Sequence, residues 1–281
     1  MIMNGFIIYV IRIKSLFTIE LYSMNANKQA YESKKVIRTY KGFRKLLPPE
    51  KIIHSLISAK QTNHAMLDLG IGTGRTTEFF APLFDKYVGI DFSSGMIEAC
   101  SQRFKERKNI HLLTADAVYL PELPEEKFDF ILYSLNGISY LRNIDERILL
   151  LKNSYALLNN NGTFAFSAHN TKALKSLYSF QWPRRNPVRI ITEYFRQKNL
   201  RKINGQMSEF EGKSFFQLYD GGEYFKVLTS YILPSFQISL LQKTGFNQIK
   251  LMDFKGKDIP LANADEFSED RWMIYYVCSK N

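Results

Sequence analysis

Leu67-Asp68-Leu69-Gly70-Ile71-Gly72-Thr73-Gly74 is the stretch on which the fold turns. With Ala65-Met66 before it, the apolar run reads as a strand, and a helical stretch follows. Glycines at alternate positions allow a tight turn and let a ligand come close to the backbone. The helix beyond points its free N-terminal amides at whatever lies over the loop. A plain strand-to-helix connection would also account for such a turn. A dinucleotide fingerprint starting at Gly70 needs a small residue at position 75, where this chain has Arg75. The spacing, with Asp68 just before it, points instead to another nucleoside cofactor.

Two acids strengthen that reading. Asp91 ends the next apolar run, Val88-Gly89-Ile90-Asp91, roughly 20 residues past the glycines, where an acid can accept from both ribose hydroxyls. The rival reading is a helix N-terminal charge. Asp116, in Leu113-Thr114-Ala115-Asp116-Ala117, follows the third run, where its carboxylate can accept from an adenine amino group. As an ordinary loop residue it would mean nothing. Three such signals at the carboxyl ends of three successive strands are far more specific than any one alone.

Outward from there, short apolar runs alternate with helical stretches. Strands are predicted over 87–90, 110–113, 128–133 and 163–167, and helices over 94–104 and 145–158, with Asn143 as N-cap. Asn159-Asn160-Asn161-Gly162 reads as a turn. The run 128–133 alternates poorly, as a strand buried on both faces should. This rhythm predicts an α/β fold with a mostly parallel sheet and helices on both faces. It breaks over residues 171–222, which are basic and aromatic. It resumes with a strand over 224–232, a helix over 234–244 with Pro near its start and Gly245 after its end, and strands over 246–252 and 272–278. Residues 34–58 are helical in pattern, with a break at Pro48-Pro49.

The chain has 281 residues, 45% hydrophobic and 23% charged, an ordinary globular composition. Two cysteines, Cys100 and Cys278, cannot build a Cys-rich metal site, and no metal is expected. They fit a reducing cytoplasm. The net charge of +11 allows an anionic partner, although abundant Lys alongside Asn, Ile, Phe and Tyr also reads as genome composition. The apolar run 5–11 is too short to span a bilayer, and no membrane partner is expected. Residues 1–24 read as an N-terminal extension, with Met24 as an alternative start, expected to add nothing to the chemistry.

On these residues the chain resembles the class I S-adenosylmethionine-dependent methyltransferases. Leu67–Gly74 is similar to that family's first motif, Asp91 to its ribose-binding acid, and Asp116-Ala117 to its adenine-binding segment. Phe128–Tyr133 resembles its fourth strand, and Leu157-Leu158-Asn159-Asn160-Asn161-Gly162-Thr163 its turn into the fifth, with Asn in place of the usual Pro and Thr163 in place of the second Gly. The resemblance implies a Rossmann-like seven-stranded sheet, an N-terminal helical lid (25–62), a cofactor-binding core (63–170), an insertion or acceptor cap (171–222) and a C-terminal part of the same domain (223–281). It implies S-adenosylmethionine as cofactor. Asp68 would bind the methionine amino group, directly or through water, and Gly70, Gly72 and Gly74 would line the methionine and ribose. Asp91 would hold the ribose, Phe92 and Met96 would flank the adenine, and Asp116 and Ala117 would read its edge. Tyr133 and Ser134 would lie beside the sulfonium. Tyr31, Tyr40 and Arg44 belong to the lid, with Tyr40 or Arg44 closing on the cofactor's carboxylate end.

For the acceptor, Asn136, Asn170 and Tyr224 are candidate contacts, with His169 and Tyr140 as candidate catalytic residues. A histidine has a suitable unperturbed pKa for a general base, but it also serves simply to hydrogen-bond a loop. A small-molecule acceptor is expected. The alternative is RNA, because residues 184–202 carry seven Lys or Arg against one acid, Glu193, interleaved with Tyr194 and Phe195. The chain nevertheless has Leu135-Asn136-Gly137 where methylases of exocyclic amines carry Asn-Pro-Pro-Tyr. A non-catalytic cofactor-binding protein is a third reading. The sequence does not fix the oligomeric state.

Overall fold

The glycine turn leaves the central strand of a sheet, and that placement organises the rest of the molecule. In a computed structural model, residues 27, 29–60, 64–120, 123, 127–182, 187–222, 224–268 and 271–281 are described. The expected extension, 1–24, lies outside them. The strands are β1 (Ala65–Leu69), β2 (Lys86–Asp91), β3 (Ile110–Thr114), β4 (Phe128–Tyr133), β5 (Leu158–Asn170), β6 (Phe215–Leu218), β7 (Thr229–Ile232), β8 (Asn247–Asp253), β9 (Asp258–Ile259) and β10 (Met273–Ser279). The helices are α1 (Lys34–Gly42), α2 (Pro48–Ser58), α3 (Thr77–Phe80), α4 (Ser94–Arg103), α5 (Ile144–Leu157), α6 (Leu174–Tyr178), α7 (Pro187–Asn204), α8 (Pro234–Thr244) and α9 (Ala264–Phe267).

The sheet runs β3-β2-β1-β4-β5-β10-β8-β9, with β1 to β5 parallel and β10 antiparallel to both neighbours. Among the described residues, ten strands stand where seven were expected. The additions are β9 and the β6–β7 hairpin, whose β7 pairs parallel with the end of β5. The α/β class and the mostly parallel sheet hold.

Alternate residues of β1 and β4 enter opposite cores, which is why β4 lacks an amphipathic rhythm. Leu67, Ile131 and Phe166 pack under α5 and α8 with Leu150, Leu151 and Leu241. Met66, Phe130 and Leu132 pack on the other face with Ile53, Ile57 and Phe80. The segment 171–222 is folded, with a small core of its own in which Leu174, Tyr178 and Leu200 meet Phe216 and Tyr231.

Local signals set the helix ends. Asn143 accepts from the Glu146 amide at 2.9 Å to cap α5, and Ser93 accepts from Met96 to cap α4. The expected break falls at residues 43–47, and Pro48 and Pro49 start α2, where a missing N–H costs nothing. Gly245 closes α8 in the left-handed region.

Two expectations fail for reasons of register and backbone. Asn159–Gly162 is not a turn before the strand. β5 begins at Leu158, paired with Phe128, and the next pair is Phe130 with Thr163, so 159–162 bulges out of the ladder. The strand expected from 224 begins at Thr229, because Tyr224 and Phe225 take left-handed backbones (φ 62° and 63°) incompatible with extension.

Candidate cofactor and acceptor site

A cavity of about 380 Å³ opens at the carboxyl ends of β1, β2, β3 and β4. That is within the size range of small-molecule sites, at the edge of a parallel sheet where ligands usually bind. Its floor is the glycine turn. Gly72 has φ 54°, and a Cβ there would project to 3.6 Å from the Tyr40 ring, into the space between turn and lid. Asp91 braces the turn from below. Its Oδ2 accepts from the Gly72 amide and its Oδ1 from the Ser93 amide, both at 2.9 Å. Each oxygen keeps a lone pair for a ligand hydroxyl. Burial pushes this carboxyl up to about 6, against the pull of the two amides.

Asp116 lies on the far wall. Its Oδ1 accepts from the Val118 amide at 2.9 Å, and burial raises its pKa. Phe92, Met96 and Ala117 line the space between the two acids. The remaining wall is the turn after β4, with Tyr133, Ser134, Leu135 and Gly137. Leu135 and Asn136 both have positive φ (52° and 61°), a pair of strained residues held by the Asn136 amide donating to Ser167 Oγ at 2.7 Å. Gly137 is sterically required, since a Cβ there would fall 1.9 Å from Tyr133 Cε2. Gly137→Ala is expected to cost roughly 1–3 kcal/mol by displacing the buried Tyr133 ring, read as a lower urea midpoint. An unchanged midpoint would mean the ring has room to move.

The lid lies over the cavity. The Tyr31 ring packs edge-on against Phe92 and Tyr140, each at 5.7 Å, and against Tyr40 at 6.1 Å. Asn27 donates to the Tyr140 and Leu228 carbonyls and accepts from the Leu228 amide, tying the lid to the loop before β7. Glu32 accepts from the Ser94 amide at 3.0 Å, at the N-terminus of α4. Tyr31, named from sequence only as a lid residue, and Asn27, not foreseen, both line the cavity. Leu141, Arg142 and Glu146 line its outer rim and were also missed; Glu146 reads in sequence as a helix first-turn acid.

Of the residues expected around a nucleoside cofactor, Tyr40, Gly70, Gly72, Asp91, Phe92, Met96, Asp116, Ala117, Tyr133 and Ser134 line the cavity, as does Tyr140. The remaining candidates, among them Asn170 and Tyr224 for the acceptor, lie outside this lining. Asp68 lies below the turn. It is fully buried and accepts from Thr76 Oγ1 at 2.6 Å and Tyr87 OH at 2.5 Å, and burial pushes it up to about 7. Gly74 faces Phe104 and Cys100, so its missing side chain serves packing. Arg44 is exposed, and its Nε donates to the Lys41 carbonyl. Asn170 spends its amide on local structure, donating to the Ser268 and Arg271 carbonyls and accepting from the Lys172 amide. Tyr224 is 72% exposed and accepts from Lys35 Nζ at 2.6 Å.

His169 and Asn136 form a buried pair outside the cavity lining, 2.9 Å apart through His169 Nε2 and Asn136 Nδ2. The imidazole stacks on Tyr231 at 5.1 Å, and the Tyr140 ring is 6.4 Å away. Burial pulls its pKa down to about 4, so it is neutral and a weak base near pH 7. His169 Nδ1 and Asn136 Oδ1 have no hydrogen-bond partner among the described residues.

The donor set suits an adenosyl group. Two carboxyls line the cavity, a side-chain-free turn forms the floor, and aromatic rings border the rest. Comparison with known proteins agrees. Residues 66–162 match the family model described as a methyltransferase domain. Over 110 residues the chain is 31% identical to a "Probable S-adenosylmethionine-dependent methyltransferase" of Saccharomyces cerevisiae, covering 38% of this chain and 36% of that protein. The chain thus spans about a third of that relative's length. Over 202 residues it is 27% identical to a ubiquinone/menaquinone biosynthesis C-methyltransferase of Citrifermentans bemidjiense, covering 68% of this chain and 74% of the other. An S-adenosylmethionine-dependent methyltransferase of Clostridium acetobutylicum superposes with a TM-score of 0.58 at 17% identity, covering 83% of this chain and 91% of that one, a likeness of fold.

Proposed function

We propose that this chain, whose residues 66–162 match a methyltransferase domain, is a class I S-adenosylmethionine-dependent methyltransferase that transfers the methyl group to a small molecule. The observation that carries this reading is the convergence of Asp91, Asp116 and the Gly70–Gly72 turn on one cavity. The cofactor supplies a methyl group already activated by a sulfonium. Asp91 accepts the ribose hydroxyls, and Asp116 with Ala117 reads the adenine edge. Phe92 and Met96 flank the ring. Tyr133, Ser134 and Tyr140 border the reacting end, and Tyr31 and Tyr40 exclude water above it.

Alignment supplies most of the catalysis. Holding acceptor and methyl in line is worth roughly 7–11 kcal/mol, and it needs no strong base. A neutral His169 behind Tyr140 fits a positioning role better than proton abstraction. His169→Ala is therefore expected to keep cofactor affinity and to lose less than about tenfold in turnover; a loss beyond about 100-fold would restore the base reading. The lidded, aromatic-walled cavity favours a small acceptor bearing a ring, the kind of chemistry named for the quinone-methylating relative.

The direct test incubates the protein with methyl-labelled cofactor and two cell-extract fractions, small metabolites and total RNA. Label in the small-metabolite fraction supports the proposal, and label in RNA refutes it.

The raised carboxyls give a pH signature. Asp68 at about 7 and Asp91 at about 6 hold their protons more tightly in the fold than in the unfolded chain, where the value is near 3.8. Between about pH 4 and 7 the native state binds more protons, so these two groups make stability of the free protein fall as pH rises. Cofactor affinity runs the other way. The ribose hydroxyls need an ionised Asp91, so affinity is expected to rise as pH passes through about 6 and to level off above 7. Calorimetric titrations at pH 5, 6, 7 and 8 check this, and a flat profile would remove Asp91 as the ionised acceptor.

A further inference from the structure

α7 is built inside out. Its inward face is largely polar. Gln197 is buried and donates to the Leu177 and Ser179 carbonyls, each at 2.9 Å. Arg196 donates to the Leu177 carbonyl, Arg201 to the Tyr178 carbonyl, and Asn204 to the Tyr219 carbonyl. Only Leu200 enters the small core fully. The outward face carries Ile191 and Phe195 one turn apart, 59% and 54% exposed, with Tyr194 beside them at 58%. Lys198 and Lys202 continue the same stripe at the next two turns, and Trp182, 75% exposed, precedes the helix. A surface helix normally buries its apolar side and solvates its charges. Here the polar side makes the intramolecular bonds, and the apolar side is left for something else.

We propose that the outward face of α7 docks on an anionic lipid surface, with Ile191, Tyr194, Phe195 and Trp182 entering the interface and Lys198 and Lys202 meeting the headgroups. Charge complementarity favours this occupant. The chain carries +11, the stripe ends in two lysines, and the one acid on the helix, Glu193, is turned inward and paired with Arg196. A second copy would set lysines against lysines. Aliphatic Ile191 offers an RNA base nothing to stack on, whereas an aliphatic, aromatic and cationic mixture on a convex helix suits the headgroup–acyl boundary. Among the described residues no helix is long and apolar enough to cross a membrane. The β6–β7 loop that follows this segment, and whose Gly221 lies beside Arg196 of α7, reaches the lid: the Leu228 amide donates to Asn27 and Lys35 Nζ donates to Tyr224 OH. Docking therefore brings the lid to a surface from which an amphiphilic acceptor is delivered. This last step rests on the proposed methyl transfer; the docking itself does not.

The test is cosedimentation of the full chain, without cofactor, with phosphatidylglycerol–phosphatidylcholine vesicles and with phosphatidylcholine vesicles alone. Wild type is expected to partition onto the anionic vesicles and to release as salt rises, with a blue shift in tryptophan emission. Ile191→Glu/Phe195→Glu and Lys198→Ala/Lys202→Ala are each expected to weaken partition at least tenfold. Both are exposed pairs, so unchanged melting and unchanged cofactor affinity by calorimetry certify the fold. Wild type remaining in the supernatant overturns the proposal. So does equal binding by the variants, a dimer by light scattering that the glutamates abolish, or tight binding of an RNA oligonucleotide that they abolish. Failure to label any acceptor, with vesicle binding intact, counts against the methyl-transfer reading alone.

Discussion

Asp91→Asn is expected to weaken S-adenosylmethionine binding at least about 100-fold. The carboxylate has two tasks. It accepts from the Gly72 and Ser93 amides and so fixes the floor of the cavity. In the proposed complex it also accepts from two ribose hydroxyls. Hydrogen bonds to a charged group contribute about 1.5–3 kcal/mol each, so losing two of them exceeds the 2.7 kcal/mol or so that corresponds to 100-fold. The amide also points an NH2 group at one of the two backbone N–H donors, which repel it. Titration calorimetry measures the effect, with the melting temperature as control. An affinity within about fivefold of wild type would show that the ribose lies elsewhere.

The second large effect concerns stability. Glu50 is fully buried on α2, and its carboxylate accepts from both terminal nitrogens of Arg75 at 2.5 and 2.6 Å. It also accepts from the Leu47 amide, Ser134 Oγ and Tyr275 OH. One side chain thus ties the lid's second helix to the residue after the glycine turn, to the cavity wall and to β10. Glu50→Ala leaves the Arg75 guanidinium, its side chain 9% exposed, without its counter-ion. A broken buried pair of this kind costs about 3–5 kcal/mol. Urea unfolding measures it. Arg75→Met added to Glu50→Met is expected to recover part of the loss, because two apolar groups remove the stranded charge. A single-mutant loss below about 1 kcal/mol would mean that water reaches Arg75.

That network shows where sequence reading stops. Arg75 served in the sequence only to argue against a dinucleotide fingerprint. Nothing in its neighbours announces a partner 25 residues upstream or a Tyr275 OH at the other end of the chain. His169 illustrates the same limit. Its position at the end of β5 is legible, but whether it faces the cavity depends on the Tyr140 and Tyr231 rings packed around it. Asp68 was legible as part of the motif, yet Thr76 and Tyr87 hold it beneath the turn.

The chain by itself determined the parallel sheet, the glycine turn and the placement of Asp91 and Asp116. In such a sheet, successive strands deliver their carboxyl ends to one edge in an order the sequence already contains. Only the tertiary structure decided which side chains enter the cavity, Asn27, Tyr31 and Tyr40 of the expected lid among them, and that α7 bonds inward through polar groups and presents apolar ones outward. Those outcomes depend on contacts between residues far apart in the chain, and side-chain direction there follows from packing and hydrogen-bond satisfaction, which no local pattern encodes.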